Sequence, residues 1–289
     1  MDIVSWIAIA VIAVTLAVLA SRRFSPTMLL IASNAIIFAV ALISGHHLEV
    51  MFDLSFKSDI SWFMSEPWTL VTSMFMHSGI THLAFNMIFL LAIGLPLESR
   101  IGKLRFAVIY LLGGMIGTLT FAALELSVSI TYLLVGASGA ISALMGAMIM
   151  LYPREKIAFF MGPILTNQFT VAAMIMVWFA LQLFLFVFDD SPIAYAAHLG
   201  GFAAGAVIGW AIRPKEEDRE NAVITILPLK NLCVTPSLKE MYGYAENAPD
   251  DETRGMWIDR ILRDVRCPEC DSSIVKKKGG FECTEGHTI

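Results

Sequence analysis

Ser138 and His198 are the residues of this chain best suited to acyl transfer. A serine hydroxyl attacks a carbonyl readily only when an adjacent base takes its proton, and histidine fills that role near neutral pH. Gly136-Ala137-Ser138-Gly139 puts glycines on both sides of the serine, which suits a tight turn into a helix with an accessible Oγ. His82 and Asn86, at i and i+4, project from one helical face. Both can donate to a developing oxyanion, and each such donor is worth about 2.7–4 kcal/mol when removed. No acidic residue accompanies Ser138 and His198 at their depth, so a dyad is expected rather than a triad. A second constellation lies near the C-terminus. Cys267 and Cys270 are followed after 12 residues by Cys283 and then by His287. The C-x2-C-x12-C-x3-H spacing supplies four ligands suited to tetrahedral zinc.

The elements that carry these residues differ sharply in composition. The chain has 289 residues, 57% of them hydrophobic and only 16% charged, against about 25% charged in a typical soluble domain. Residues 1–215 contain 10 Lys/Arg and 10 Asp/Glu, whereas residues 216–289 contain 10 and 15, so the net charge of −5 belongs to the tail. A body made for lipid and a tail made for water follow, which excludes a single soluble domain, a disordered chain and a secreted disulfide scaffold. Seven stretches approach the roughly 20 apolar residues that a membrane span requires: 3–20, 28–44, 80–97, 106–125, 134–152, 168–188 and 193–212. Asp2 precedes the first stretch with no Lys or Arg, and Ala20-Ser21-Arg22-Arg23 is a poor cleavage context, so this stretch reads as a retained span and not a signal peptide.

If the spans alternate, nine basic residues from Arg22 to Lys215 share one side and only Lys57 lies on the other. The positive-inside rule then puts the N-terminus outside and the tail in the cytoplasm, with the cell membrane as the expected location. The segment 45–79 mixes Phe, Met and Trp with charges and is expected to lie partly in the membrane interface. Under this topology His82, Asn86, Ser138 and His198 all fall in the outer third of the membrane, at about 1.5 Å rise per residue. Ser138, Ser142 and Gly146 form one small-residue face, and Gly201, Gly205 and Gly209 another. Packing the two faces brings Ser138 to His198.

The chain resembles the rhomboid family of intramembrane serine proteases over about residues 28–212. The resemblance is carried by His77-Ser78-Gly79 with His82-Leu83-xx-Asn86, by Leu97-Glu98-xxx-Gly102-xx-Arg105-Phe106, by Gly136-Ala137-Ser138-Gly139 and by Ala197-His198-xx-Gly201-xxx-Gly205. It implies an all-α polytopic protein with a six-helix core that cleaves single-span membrane proteins near or within their membrane segment. Ser138 is then the nucleophile and His198 the base. His82, Asn86 and the Ser138 backbone N–H form the oxyanion hole, and no catalytic cofactor is needed. The chain departs from the family pattern in three places. Trp68-Thr69 stands where the family often has Trp-Arg, Ser142 stands where it often has an aromatic under the base, and the extra span at 3–20 precedes the core. The alternative to an enzyme is a catalytically inactive rhomboid-like protein that binds transmembrane clients. A solute transporter would need internal repeats or midplane charges, and the sequence has neither.

The expected organisation is an extra transmembrane helix and linker over 1–27, a six-helix protease core over 28–215, a polar linker with a short helix over 216–266, and a zinc-ribbon-like module over 267–289. Within the tail, Glu216–Glu220 is expected to be solvated, 222–235 to contain a strand, 250–266 to form an amphipathic helix, and Lys276–Gly280 to form a hairpin tip. In a cytoplasmic tail the thiols stay reduced, which favours structural zinc on Cys267, Cys270, Cys283 and His287 over a disulfide. The expected partners are transmembrane substrates, the lipid bilayer and a protein bound by the tail module. Lys276, Lys277 and Lys278 sit among acidic neighbours, which argues against nucleic acid. Cys233 stands outside the ligand set.

Overall fold

The structure is a computed structural model that describes residues 1–58, 60–125, 132–161, 164–188, 193–213, 226–248, 251–277 and 280–289. The chain divides into two compact units, one built from 1–99 and 103–211 and the other mainly from 212–289. The first is helical. Its long helices are α1 (Ile3–Ser21), α2 (Pro26–Ile43), α6 (Ile80–Ile101), α7 (Lys103–Glu125), α9 (Val171–Phe188) and α10 (Ile193–Ile212), with a shorter α8 (Ser138–Leu151). Among the described residues five helices are long and apolar enough to cross a membrane. They present Ile3, Val14, Leu91, Leu112 and Val207 outward, as a surface in lipid should. The protein is an integral membrane protein.

Helix ends are fixed by local chemistry. Asp2 caps α1 by accepting from the Ser5 N–H at 2.8 Å, and Ser25 caps α2 just ahead of Pro26. The buried Glu98, near the end of α6, accepts from the Ser25 hydroxyl at 2.7 Å and from the Thr27 N–H at 3.0 Å. A carboxylate at a helix N-terminus complements the helix dipole, so Glu98 joins two helix ends. At the same end Lys103 donates to the carbonyls of Arg22 and Arg23, both at 3.1 Å, where α1 stops. At the opposite end Ser5 donates to Asp53 at 2.7 Å and His46 meets Asp2 at 3.3 Å. The alternation of these helices is therefore visible in their side-chain bonds.

Several spans begin or end differently from their sequence pattern. The third continues to Ile101. The fifth begins as a helix only at Ser138, because residues 133–134 are a strand. The sixth begins at Val171, after a hairpin of β3 (Lys156–Met161) and β4 (Ile164–Thr170). At about 1.5 Å per residue α8 is too short to cross the ~30 Å core by itself.

The segment 45–79 is structured. It holds α3 (His47–Leu54), β1 (Phe56–Lys57), α4 (Ile60–Ser65), α5 (Thr69–Thr72) and a 3₁₀ turn over Ser73–Phe75. β1 pairs antiparallel with β2 (Leu133–Leu134), so the segment is tied to the strand that leads into Ser138. Lys57 is 3% exposed, pairs with Glu66 at 3.0 Å, and has its ammonium 3.9 Å from the Trp62 ring centre and 4.4 Å from that of Phe52. This buried cation thus anchors the segment, where Trp68-Thr69 offers none.

The packing of α7, α8 and α10 depends on glycine. A methyl at Gly201 would strike the Gly139 carbonyl, one at Gly205 the Ala143 carbonyl, and one at Gly146 the Phe202 carbonyl. From the other side, a methyl at Gly113 would strike Ala143. The glycine face read on α10 does meet α8 backbone against backbone, but on Gly139, Ala143 and Ala147; of the face read on α8, Gly146 makes such a contact, with Phe202 and Ala206.

In the second unit, the described part of the Val/Ile/Leu run, 226–235, contains a 3₁₀ turn over Leu227–Asn231 and no strand, with Pro228 inside the turn. Pro lacks the N–H that a ladder needs. Residues 222–225 and Glu216–Glu220 lie outside the described residues. The expected amphipathic helix spans Asp251–Asp264 and buries Trp257, Ile258 and Ile261, with Val265 buried just beyond it and Met256 exposed. A further helix, Pro236–Glu246, is capped by Thr235. These helices share one core with β5 (Ile274–Lys277) and β6 (Gly280–Cys283), through Leu238, Tyr242, Trp257, Ile261, Ile274 and Phe281. Lys276, Lys277 and Gly280 belong to the strands, and Lys278 and Gly279 lie outside the described residues.

Gly205→Ala should lower the stability of the membrane unit by about 1–3 kcal/mol through overpacking, seen as a lower melting temperature in detergent. An unchanged melting point would show that the α8–α10 contact relaxes freely.

Candidate active site and metal centre

Ser138 is the first residue of α8, and His198 lies in the second turn of α10. His198 Nε2 and Ser138 Oγ are 2.7 Å apart, a full hydrogen bond. His198 is 9% exposed and Ser138 half-buried. The first intrahelical bond of this turn runs from the Ile141 N–H to the Ala137 carbonyl at 2.9 Å. The amides of Ser138, Gly139 and Ala140 precede it, so they are free of helical partners and available to an anion.

Gly136 makes the turn possible. Its φ is +116°, a conformation that a side chain resists. Its N–H donates to the Ser73 carbonyl at 2.9 Å, which ties the turn to the segment ahead of α6. A methyl on Gly136 would lie 2.8 Å from His82 Nε2 and 3.7 Å from Ser138 Oγ. The imidazole and the hydroxyl therefore flank one point in space, kept open by a glycine.

The orientation of His82 follows from Ser78. The Ser78 N–H donates to His82 Nδ1 at 3.4 Å, and the Ser78 hydroxyl lies 3.1 Å from the same atom. Nδ1 is then an acceptor, and the proton of the neutral ring sits on Nε2, the nitrogen facing Gly136. Asn86 is buried one turn deeper and gives one amide hydrogen to the His82 carbonyl at 2.9 Å. The second amide hydrogen remains for another acceptor. Beside Ser138 lies a recess of about 270 Å³, its mouth included, lined by Met74, Gly114, Thr118, Gly136, Gly139 and Ala197 among others.

Residues 64–215, just over half of the chain, match the family model described as the Rhomboid domain. The chain belongs to the rhomboid family. RHOMBOID-like protein 6, mitochondrial, of Arabidopsis thaliana is 33% identical over 152 residues, which are 51% of this chain and 44% of the relative. Rhomboid-related protein 2 of Mus musculus is 32% identical over 150 residues, 51% of this chain and 48% of the relative. YdcA of Bacillus subtilis (strain 168), provisionally named a rhomboid protease, is 26% identical over 198 residues, 68% of this chain and 94% of the relative. The chain thus spans about half, or less, of the length of the first two, and nearly all of the third.

Two residues of this rhomboid site carry weak signals in the sequence. Ser78 stands within a motif without an assigned role, and Trp178 stands in an apolar run where an aromatic is unremarkable. In the structure the ring centre of Trp178 lies 5.8 Å from that of His198, and Tyr195 lies 6.4 Å away on the other ring contact.

Cys267, Cys270, Cys283 and His287 converge, their ligand atoms all lying within 4.8 Å of one another. His287 Nδ1 is 3.3 Å from Cys270 Sγ, 3.4 Å from Cys283 Sγ and 3.7 Å from Cys267 Sγ. Tetrahedral zinc thiolates with ~2.3 Å bonds have edges of about 3.8 Å, so this group can hold a metal ion. Two turns supply the pairs. Asp271 donates back to the Cys267 carbonyl at 2.9 Å, and Gly286, with φ +90°, to the Cys283 carbonyl at 3.0 Å. The Ser272 hydroxyl and amide hold the Cys270 thiol below its ordinary range, toward the thiolate a metal requires. His287 Nε2 faces Glu269 at 3.5 Å, a carboxylate placed to orient the ring.

Gly136→Ala should destabilise the protein by about 1–3 kcal/mol through its left-handed backbone. Gly79→Ala, with nothing within 4 Å of the added methyl, should change little. Equal melting temperatures for both variants in detergent would remove the strained turn from the account.

Proposed function

We propose that this rhomboid is an intramembrane serine endopeptidase that cleaves single-span membrane proteins near the outer end of their transmembrane segment. The 2.7 Å contact between His198 Nε2 and Ser138 Oγ carries the reading. His198 takes the Ser138 proton as Oγ attacks the scissile carbonyl, and returns it to the leaving amine as the acyl-enzyme forms. Water, activated by the same imidazole, then releases the acyl group. The oxyanion is held by the Ser138 amide and His82 Nε2–H, with Asn86 contributing its second amide hydrogen.

The substrate class follows from the surroundings. The nucleophile starts a short helix below the membrane surface, so a substrate must enter from the side and unwind locally to expose a peptide bond. The recess lined by Gly114, Gly136 and Gly139 suits a small side chain next to that bond. Gly, Ala or Ser near the outer end of the substrate's span is expected. The basic loops argue for an N-terminus outside and a cytoplasmic tail in the cell membrane.

In the tail, the four-ligand group supports structural zinc held by Cys267, Cys270, Cys283 and His287. Zinc would supply folding energy to a ribbon whose strands are four residues each. Such a module serves to bind a protein partner.

Purified full-length protein should cleave a single-span test substrate with Ala and Gly at the outer end of its span. Ser138→Ala and His198→Ala should each lose about 10³-fold or more in kcat, and His82→Ala about 10²-fold. Cleavage that survives both dyad substitutions would overturn the enzyme reading in favour of a client-binding rhomboid. Metal analysis should find one zinc per chain, falling to well under half in Cys270→Ser with Cys283→Ser. A wild-type chain without zinc would remove the metal site.

A further inference from the structure

We propose that Trp178, on α9, is the positioning residue that keeps the His198 ring aligned with Ser138. The proposal rests on the serine-endopeptidase reading above. Nε2 bonds Ser138 at one edge of the imidazole, and the ring must hold one tilt throughout the proton's outward and return transfers. A displacement of even about 1 Å in such a contact can cost 10²-fold in rate.

The nucleophile's own helix offers no ring for this purpose. One turn after Ser138 comes Ser142, whose hydroxyl is committed to the Ser138 carbonyl at 2.7 Å. Among the described residues, Trp178 and Tyr195 bring rings to His198. Tyr195, three residues earlier on α10, meets it edge-on with centroids 6.4 Å apart and an interplanar angle of 86°. It is part of the same helix as the base and shares its movements. Trp178 comes from α9, is 8% exposed, and stands 5.8 Å from the imidazole at an interplanar angle of 51°. It is the fixed wall against which His198 is set.

An aromatic does here what an aliphatic side chain of similar bulk cannot. Tilted and edge-to-face ring pairs have preferred orientations, so the indole biases the imidazole toward one tilt. His198 also becomes an imidazolium when it accepts the Ser138 proton. A π-system within about 6 Å attracts a cation, so the contact strengthens as that charge develops. The aromatic support of the base comes from α9, and base alignment then depends on the packing of α9 beside the site.

The test compares aromatic with aliphatic replacements in the full-length protein in proteoliposomes, with the single-span Ala/Gly substrate. Trp178→Phe should retain kcat within about 3-fold, whereas Trp178→Leu should lose about 10-fold or more with KM near the wild-type value. Trp178→Tyr against Trp178→Met should repeat the split, and melting temperatures recorded in parallel identify any variant that fails to fold. Equal kcat for aromatic and aliphatic variants of matched stability would overturn the proposal and leave Trp178 as core filling. A fall confined to KM would also overturn it, because the residue would then act on the substrate. Failure of the dyad itself appears differently, as cleavage that survives Ser138→Ala.

Discussion

The approach of α8 to α10 is the constraint on which the rest of the membrane unit depends. Lipid gives helices no hydrophobic reason to associate, so their contact must come from close packing. Here Gly201 and Gly205 lie against the carbonyls of Gly139 and Ala143, and Gly146 against that of Phe202. With backbones this close, residues at matching heights on the two helices are within reach of each other's short side chains. Ser138 and His198 are such a pair. α7 closes the other side of α8 through Gly113, so the nucleophile's helix is gripped between two neighbours. The hydrogen bond at 2.7 Å is a consequence of that grip more than a cause of it.

Around this pair, less regular parts of the chain complete the site. The turn at Gly136 is held by Ser73, and the strand before it by β1. β1 in turn is fixed by Lys57, caught between Glu66, Trp62 and Phe52. Ser78 sets which nitrogen of His82 faces the opening beside Ser138. Each contact is local, and together they run from the 45–79 segment to the N-terminus of α8. A buried cation with aromatic neighbours suits a segment near the membrane interface, where both lipid and water are at hand.

Spans, the glycine face of α10 and the meeting of Ser138 with His198 were legible because lipid imposes simple rules of length and spacing. The same rules could not show that α8 starts four residues after its apolar run begins, since a strand and a helix can share apolar composition. They could not find β3 and β4 ahead of the sixth span, because an apolar hairpin and the end of a helix look alike in hydropathy. Trp178 was hidden for a related reason: an aromatic in an apolar helix carries no mark of what it touches. In the tail, the ligand spacing of Cys267 to His287 was readable because metal geometry fixes it. The surrounding core was not, for Tyr242, Trp257 and Phe281 come from separate elements, and an apolar run such as 226–235 can form a 3₁₀ turn as readily as a strand. The alternation of composition showed where each unit lies, but contacts between distant residues decide how it works.

The central claim is that His198 activates Ser138 for attack on an acyl centre. A fluorophosphonate probe reports this without any knowledge of the natural substrate, since it modifies a serine only when its hydroxyl is activated. Incubated with the full-length protein in detergent and mapped by mass spectrometry, the adduct should form on Ser138. The labelling rate should fall by about 10²-fold or more in His198→Ala. An adduct on another residue, or a rate in His198→Ala equal to that of the unmodified protein, would contradict the account.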